Sequence, residues 1–276
     1  MKKHTWLLKI CLSSLLLLTT QVTTAESLNY SFGIVPQQSA EKLARLWGPI
    51  LQLISKDTDF KVNFKTAPDI PSFEKRLAAG EYDFAYMNPY HYTVFNQTNG
   101  YLGLAKARDK RIKGILVVRK DSSIAQLADL DGSVLAFPAP AAFAASILSQ
   151  SKLKMSGVNF KPRYVSSHDS VYRTVAKGLY PAGGGVIRTL NNVAPEIRDQ
   201  LRVLWTSQGY TPHAIAVHPR VNKQDAQSLQ QAILKLDLHA DGASLLKGIK
   251  IKGFEIARDS DWDDVRDLNL KELSIK

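Results

Sequence analysis

The sequence predicts an α/β fold of two lobes, in which each lobe is a mostly parallel sheet flanked by helices and a hinge joins the lobes. Short apolar segments rich in β-formers alternate with segments of helical periodicity, as expected for sheets covered by helices. A turn cluster at residues 129–132 begins a second run of the same kind, and the chain returns to the first run near its end. These features predict two crossings between the lobes and a cleft between them.

The first run contains helices with clear start and stop signals. Residues 30–35 alternate in polarity and predict the first strand. Ser39 caps an amphipathic helix that Pro49 should kink, and Asn88 caps a second helix that ends at the turn 99–100. The remaining elements predicted here are strands at 61–66, 82–87 and 114–119 and a helix at 73–79.

The second run is predicted by the same signals. We expect strands at 133–137, 160–165, 203–205 and 214–217, and helices at 140–149, at 171–176 and after Asn222. The domain boundaries that follow are residues 26–118 and 215–276 for lobe 1 and residues 119–214 for lobe 2. The crossings should fall near 118–122 and 206–214.

The first 25 residues have the pattern of a secretory signal peptide. Lys2 and Lys3 precede an apolar stretch at 10–18, and small residues at 23–25 favour cleavage after Ala25. The stretch is too short to cross a bilayer comfortably, so an uncleaved anchor is the weaker alternative. Cys11, the only cysteine, lies in this stretch, which predicts a mature periplasmic protein without disulfides or thiolates.

The net charge of +11 indicates a mild attraction for anions. The basic residues are scattered, and no nucleic-acid recognition motif accompanies them, so we expect no nucleic acid as a partner. Catalytic signatures are also weak, since the sequence has no nucleophile elbow, no HExxH zinc motif and no P-loop. The sequence therefore favours a binding protein over an enzyme, and it predicts no metal and no cofactor.

Five polar or glycine-rich junctions lie between a predicted strand and a predicted helix, namely residues 36–39, 87–92, 137–146, 166–170 and 183–189. Ligands of open α/β sheets bind outside the carboxyl ends of the strands, so these junctions could converge on one ligand. At the third junction Pro140 suits the first helical position. The amides of Ala141, Ala142 and Phe143 would then lack intrahelical acceptors and could bind an anion. An ordinary strand–helix corner is the alternative.

Side chains must supplement these amides. One helix end contributes about 0.3–1 kcal/mol toward a charge, whereas a micromolar ligand needs about 8 kcal/mol. The candidate ligand-binding side chains at the junctions are Gln37, Gln38, Tyr90, Tyr92, Ser167, His168, Arg188 and Thr189. For four of them a structural role stays open: the two tyrosines as core aromatics, His168 as a surface or capping residue and Arg188 as a solvated surface residue.

Taken together, these segments resemble the phosphate-, phosphite- and phosphonate-binding proteins of ABC transporters, the PhnD-like group of type II periplasmic binding proteins. The motifs that carry the resemblance are residues 32–39, 81–92, 137–143, 167–170 and 183–186. The resemblance implies two α/β lobes joined by hinge strands, a small phosphorus oxyanion in the cleft, and an ABC permease and ATPase as partners. It implies that Tyr90 or Tyr92, the 140–143 helix start and His168 line the site. We expect a monomer.

One departure from the family pattern concerns the helix start. Phosphonate binders of this kind usually carry Ser and Thr hydroxyls where this chain has Ala139, Pro140, Ala141 and Ala142. Backbone groups and Arg188 would have to compensate, or the ligand is less demanding than a phosphonate. The alternative function is a ligand-binding module of the same fold that feeds a sensor kinase or binds a different small solute.

Overall fold

Two separate sheets covered by helices form the part of the chain that the computed structural model describes, residues 28–271. The predicted signal peptide and its cleavage site lie outside these residues. The strands are, in chain order, β1 (Asn29–Ile34), β2 (Lys61–Lys65), β3 (Phe84–Met87), β4 (Leu102–Ala107), β5 (Gly114–Arg119), β6 (Ser133–Phe137), β7 (Phe160–Tyr164), β8 (Ala182–Val186), β9 (Leu201–Thr206), β10 (Ala214–Val217) and β11 (Phe254–Ile256).

Helices flank both sheets. They are α1 (Ala40–Lys56), α2 (Ile70–Ala78), α3 (Pro89–Asn99), a π-helical turn (Phe143–Leu148) that continues into α4 (Ser149–Met155), α5 (His168–Ala176), α6 (Ile187–Leu190), α7 (Pro195–Arg198), α8 (Lys223–Lys235), α9 (Ala240–Gly248) and α10 (Asp263–Arg266). No helix within residues 28–271 is both long and apolar enough to cross a bilayer.

The two sheets confirm the predicted two-lobed α/β architecture, but both are mixed rather than mostly parallel as predicted. The first sheet has the order β11-β4-β10-β3-β1-β2, and the second has the order β7-β6-β8-β5-β9. Parallel pairing holds for β1 with β2 and β3, and for β6 with β7 and β8. All pairs of β5 and β10 are antiparallel, because these two strands enter their sheets directly from the other lobe. The pair β4–β11 is antiparallel as well. β4, β8 and β11 lie outside the predicted strands.

Local capping signals place the helix starts as predicted. The side chain of Ser39 accepts a hydrogen bond from the amide of Lys42 at the start of α1. Asn88 and Asn222 do the same at the starts of α3 and α8. Each cap satisfies one of the amides that a helix leaves without an internal acceptor. Pro49 lies inside α1, and the helix continues through it.

The predicted first boundary of lobe 2 is displaced. β5 was assigned to lobe 1, but it pairs with β8 and β9 and is a central strand of the second sheet. The first crossing is therefore residues 108–113 rather than 118–122, and the second is residues 207–213. The two crossing segments pair with each other: the amides of Ile112 and Tyr210 donate to each other's carbonyl oxygens at 2.8 and 2.9 Å.

The helix predicted from Pro140 begins later, at Phe143. Residues 139–142 form a turn in which the amide of Ala142 donates to the carbonyl oxygen of Ala139 at 3.3 Å. Ala142 is extended at ψ 92°, so it precedes the helix as its cap residue. The carbonyl of Ala141 is likewise outside the helix and accepts a hydrogen bond from Asn88 at 3.1 Å. The first helical amides are therefore two to three residues further along than predicted.

Glycines in β5 and β8 allow this helix start to lie directly on the second sheet. A Cβ atom at Gly184 would lie 1.9 Å from the carbonyl oxygen of Ala145, and one at Gly114 would lie 2.2 Å from that of Ala144. Any side chain at these two positions would push the helix away. The run 183–185 is thus part of a buried strand, and the junction itself begins at Val186.

Candidate functional site

All five predicted junctions meet between the lobes, the fifth of them through Val186 at the end of β8. Gln37 follows β1, Asn88 follows β3, and both belong to the first lobe. The helix start at Phe143 and the start of α5 at His168 belong to the second lobe. Together they line a chamber of about 10 Å³, the space of about one water molecule. The structure therefore has its lobes closed on this point.

The chamber's helix start presents backbone donors. Ala142, Phe143, Ala144 and Ala145 all line the chamber. The first amides of a helix have no acceptor within it and carry the positive end of its dipole. Because residues 142, 144 and 145 are alanines, no side chain keeps an anion from approaching this backbone. The predicted helix start thus faces the chamber, and it is shifted to residues 143–145.

A second set of contacts joins the lobes beside the chamber. The amide of His168 donates to the carbonyl oxygen of Gln37 at 3.1 Å. The guanidinium of Arg188, at the start of α6, donates through Nη2 to Oε1 of the same glutamine. Gln37 therefore connects to two junctions of the other lobe, and both of its partners are predicted site residues.

His168 is held neutral in this setting. It is buried, and Nδ1 lies 3.2 Å from Oγ1 of Thr189. Burial and the nearby positive charge of Arg188 lower the pKa of His168 from 6.5 to about 3. A neutral ring can form a hydrogen bond with a ligand without a buried charge.

His213 is a site residue that the predictions missed. It ends the second crossing, lines the chamber and stacks on Tyr86 with ring centroids 4.8 Å apart. It is 3% exposed, and its Nε2 has no hydrogen-bond partner in the described part of the chain. Burial, then the charge of Arg188, lowers its pKa well below 6.5. A segment that crosses between two lobes lies at the bottom of the cleft between them. The predicted crossing at 206–214 could therefore have identified His213.

Asn88 was predicted only as a helix cap, and it also joins the lobes. Its Oδ1 caps α3 by accepting from the amide of His91 at 2.8 Å. Its Nδ2 donates to the carbonyl oxygen of Ala141 in the other lobe at 3.1 Å. His91 Nε2 lies 3.0 Å from Nδ2 and 2.9 Å from Oε1 of Glu74, which fixes the side chain of Asn88. Ala141 thus contributes a carbonyl to this contact rather than a free amide.

A larger cavity, which we call the vestibule, adjoins the chamber. It has a volume of about 430 Å³ and shares Ile112, Val186 and His213 with the chamber. Its wall includes Tyr86, both crossing segments, α6 and the two residues 250–251 that follow α9. Arg188 lines it, with Cζ 6.0 Å from the centroid of the Tyr86 ring. The chamber is therefore the inner end of a longer cleft.

Three predicted side chains lie elsewhere or serve the fold. Tyr92 is buried on the far face of α3, where its hydroxyl donates to Oδ1 of Asp259 at 2.8 Å and its ring packs on Trp262. Ser167 caps α5 by accepting from the amide of Ser170 at 3.1 Å. Tyr90 is buried and lines neither the chamber nor the vestibule. For the two tyrosines the structural alternative, a core aromatic, describes the position found.

Gln38 and Thr189 support the site from behind. Gln38 is buried next to Gln37 and interacts with Asp169 of the other lobe. Thr189 is buried, and its Oγ1 forms the contact with Nδ1 of His168 described above. Within the described residues no group of three or more His, Cys, Asp or Glu side chains is placed to hold a metal ion. The polar groups of the site are thus amides, neutral imidazoles and one guanidinium.

Comparison with known proteins agrees with this geometry. The family described as ABC transporter, phosphonate, periplasmic substrate-binding protein matches residues 32–262. The Phosphate-import protein PhnD of Mycolicibacterium smegmatis is 26% identical to this chain over 216 residues. That match covers 68% of this chain and 66% of the relative, so the chain spans slightly less than two thirds of the relative's length.

Two solved structures have the same fold. A binding protein component of an ABC phosphonate transporter from Pseudomonas aeruginosa superposes with a TM-score of 0.82 at 17% identity, covering 88% of this chain and 86% of that one. PhnD1 from Prochlorococcus marinus, in complex with methylphosphonate, gives 0.79 at 18% identity, covering 87% and 98%. The resemblance noted in the sequence is confirmed: this chain belongs to the family of periplasmic substrate-binding proteins of phosphonate ABC transporters.

Proposed function

We propose that this chain captures a small phosphorus oxyanion (phosphate, phosphite or a phosphonate) between its lobes and delivers it to an ABC permease and ATPase. The observation that carries the proposal is the convergence of anion-binding groups from both lobes on the chamber. The first amides of the Phe143 helix and the ring of His168 come from the second lobe, and Gln37 comes from the first. The guanidinium of Arg188 adjoins the chamber, because it donates to Gln37. No carboxylate is among the described residues that line the chamber.

Binding requires an exchange of partners, because the chamber of about 10 Å³ is smaller than any tetrahedral oxyanion. The Arg188 guanidinium binds Gln37 in this structure. When the lobes separate by hinge motion, this contact opens, and the ligand oxygens take the place of Gln37 on Arg188. The charge-assisted contact compensates for the hydroxyls that residues 139–142 lack.

A protonated ligand oxygen also finds acceptors here. Phosphate and phosphonate monoanions carry a P–OH group at neutral pH, whereas sulfate carries no proton. Gln37 Oε1 and the neutral rings of His168 and His213 can accept a hydrogen bond from such a group. When the ligand carries no proton, such an acceptor faces a negatively charged oxygen without a hydrogen bond, which is unfavourable. This chemistry favours phosphorus oxyanions over sulfate.

The family name and the relatives support delivery rather than turnover. The matched relative is described as a phosphate-import protein, and one structural neighbour was solved with methylphosphonate. We infer that this chain acts as a periplasmic monomer after its leader is cleaved behind Ala25, and that the closed form docks on the permease. The ligand should be released unchanged, which ³¹P NMR of the eluted ligand tests directly.

Isothermal titration of the exported protein with phosphate, phosphite, methylphosphonate and sulfate tests the proposal. We expect binding of at least one phosphorus oxyanion and a much weaker response to sulfate. His168→Ala should weaken binding about tenfold or more, since a desolvated contact with a charged ligand is lost. His239→Ala, at an exposed histidine outside both cavities, is the matched control. Absence of heat and of a thermal shift with every phosphorus oxyanion would refute the proposal.

A further inference from the structure

The vestibule is larger than a simple oxyanion needs. Its volume of about 430 Å³ lies within the range of about 300–1,000 Å³ that is typical of small-molecule sites. Through Ile112, Val186 and His213 it is continuous with the chamber. A ligand whose phosphorus group lies in the chamber therefore has room for an organic substituent directly beyond it.

The wall of the vestibule is basic. Five of its residues carry positive charge, namely Lys110, Arg111, Lys113, Arg188 and Lys250, and no Asp or Glu of the described chain lines it. Arg111 is neutralised by Asp264, whose Oδ2 lies 2.6 Å from Nη2. The three lysines are exposed, and none has an ion-pair partner within residues 28–271. The net field in the vestibule thus attracts a negative group and repels an amine.

Two further observations indicate that this wall faces a ligand. His213, 3% exposed, has no hydrogen-bond partner for Nε2 among the described residues, and it lines the vestibule as well as the chamber. Lys250 follows α9 with φ 58°, at a position where glycine is the usual residue. A lysine there places a positive charge at the rim despite an unfavourable backbone conformation.

We propose, on the basis of the function proposed above, that the vestibule binds the organic part of the ligand and selects a substituent that carries a second anionic group. The phosphorus group lies against the Phe143 helix start and Arg188. The substituent packs on the stacked rings of Tyr86 and His213. Its carboxylate or second phosphoryl group lies among Lys110, Lys113 and Lys250, which also disfavour aminoalkyl phosphonates.

A matched ligand series tests this selection. Phosphonopropionate, propylphosphonate and aminopropylphosphonate carry an anionic, a neutral and a cationic end on similar chains. By titration calorimetry we expect phosphonopropionate to bind about tenfold more tightly than propylphosphonate, since each exposed lysine contact contributes only modestly. Aminopropylphosphonate should bind most weakly. The preference should diminish at high salt, because the lysines are exposed to solvent.

Variants assign the effect to the lysines. The double variant Lys113→Met, Lys250→Met should reduce the preference for phosphonopropionate to within about twofold of propylphosphonate. The corresponding Arg double variant should retain it. Lys247→Met, an exposed lysine of α9 that does not line the vestibule, should leave all three affinities unchanged.

The outcomes separate the two proposals. If no phosphonate or phosphate binds, the proposed function itself fails. If propylphosphonate binds and phosphonopropionate binds no tighter, only the selection of a second anionic group is overturned. If phosphonopropionate binds tighter but the Met double variant keeps the preference, the assignment to these lysines is overturned. A preference that disappears in the Met variant and persists in the Arg variant supports the proposal.

Discussion

Lys42 of the first lobe lies 3.8 Å from Asp169 of the second, measured between Nζ and Oδ2. The same ammonium group donates to the carbonyl oxygen of Asn192, also in the second lobe. Both charged side chains are about four fifths buried, so solvent screens their attraction less than it screens a surface pair. These contacts exist only while the lobes are closed, and they form a latch beside the chamber.

Removing the charge of the latch should weaken ligand binding without affecting the site. Lys42→Met keeps most of the side-chain stem, and we expect the dissociation constant of the bound oxyanion to rise about two- to fivefold as the closed state loses the ion pair. Titration calorimetry measures the change. Arg45→Met, on the exposed side of the same helix, is the control and should leave affinity unchanged. Equal affinities for the two variants would contradict the latch.

The close approach of the Phe143 helix to β8 gives a prediction on stability. In Gly184→Ala the new methyl group would meet the carbonyl oxygen of Ala145 at 1.9 Å, so the helix start must move. We expect the free energy of unfolding to fall by about 3 kcal/mol. Urea denaturation measures it. Gly248→Ala serves as control, since its Cβ would meet only Leu46 at an ordinary 3.5 Å. A Gly184→Ala protein as stable as this control would exclude the packing described.

Tyr92 should matter for stability and not for binding. Its hydroxyl donates to Asp259 and accepts from the amide of Gly103 at 3.2 Å. Tyr92→Phe removes both bonds and leaves a partly buried amide without its acceptor, so we expect a loss of about 1–3 kcal/mol in the free energy of unfolding. Ligand affinity, measured by calorimetry well below the melting temperature, should stay unchanged. A large loss of affinity with intact stability would restore Tyr92 to the site.

The buried histidines predict how stability depends on pH. The pKa of His168 is about 3 in the folded protein and 6.5 for an exposed ring, so between these values the unfolded chain binds a proton that the folded protein does not. The free energy of unfolding therefore decreases as pH falls through this window, by up to about 1.4 kcal/mol per pH unit for each such histidine. His213 acts in the same direction.

Urea denaturation between pH 7.5 and pH 5 tests this dependence. His168→Asn retains a hydrogen-bonding side chain that does not titrate, so its stability should decrease less steeply toward low pH than that of the unmodified protein. His239→Asn replaces an exposed histidine and controls for the loss of an imidazole as such. Identical pH slopes for His168→Asn and the unmodified protein would show that His168 is not held neutral by the fold.

Features that depend on neighbouring residues in the chain were predictable. The caps at Ser39, Asn88 and Asn222 each involve an amide three residues ahead, so the sequence contains all of the signal. The assignment of β5 to the second lobe was not predictable in this way. Its sequence is that of a buried strand in either lobe, and only its pairing with β8 and β9 assigns it to the second.

The same distinction applies to the site. His168, Gln37 and Arg188 lie at strand–helix junctions, and the rule for ligand sites in α/β sheets identifies such positions. Tyr92 lies in a motif of the same kind, but the helix turns its side chain toward Trp262, which no local pattern reveals. His213 is in a crossing segment without helical or strand periodicity. Its place in the cleft follows from the tertiary path of the chain alone.

The reciprocal backbone bonds between Ile112 and Tyr210 have a mechanical consequence. These bonds join the two crossing segments into one antiparallel ribbon, so neither segment can bend without the other. Asp264 reinforces this ribbon by binding Arg111 on one strand and the amide of Thr211 on the other. Each lobe must then rotate as a rigid body about this ribbon. A pair of dyes attached to the outer surfaces, far from any bound solute, would report the capture of one molecule as a change in energy transfer.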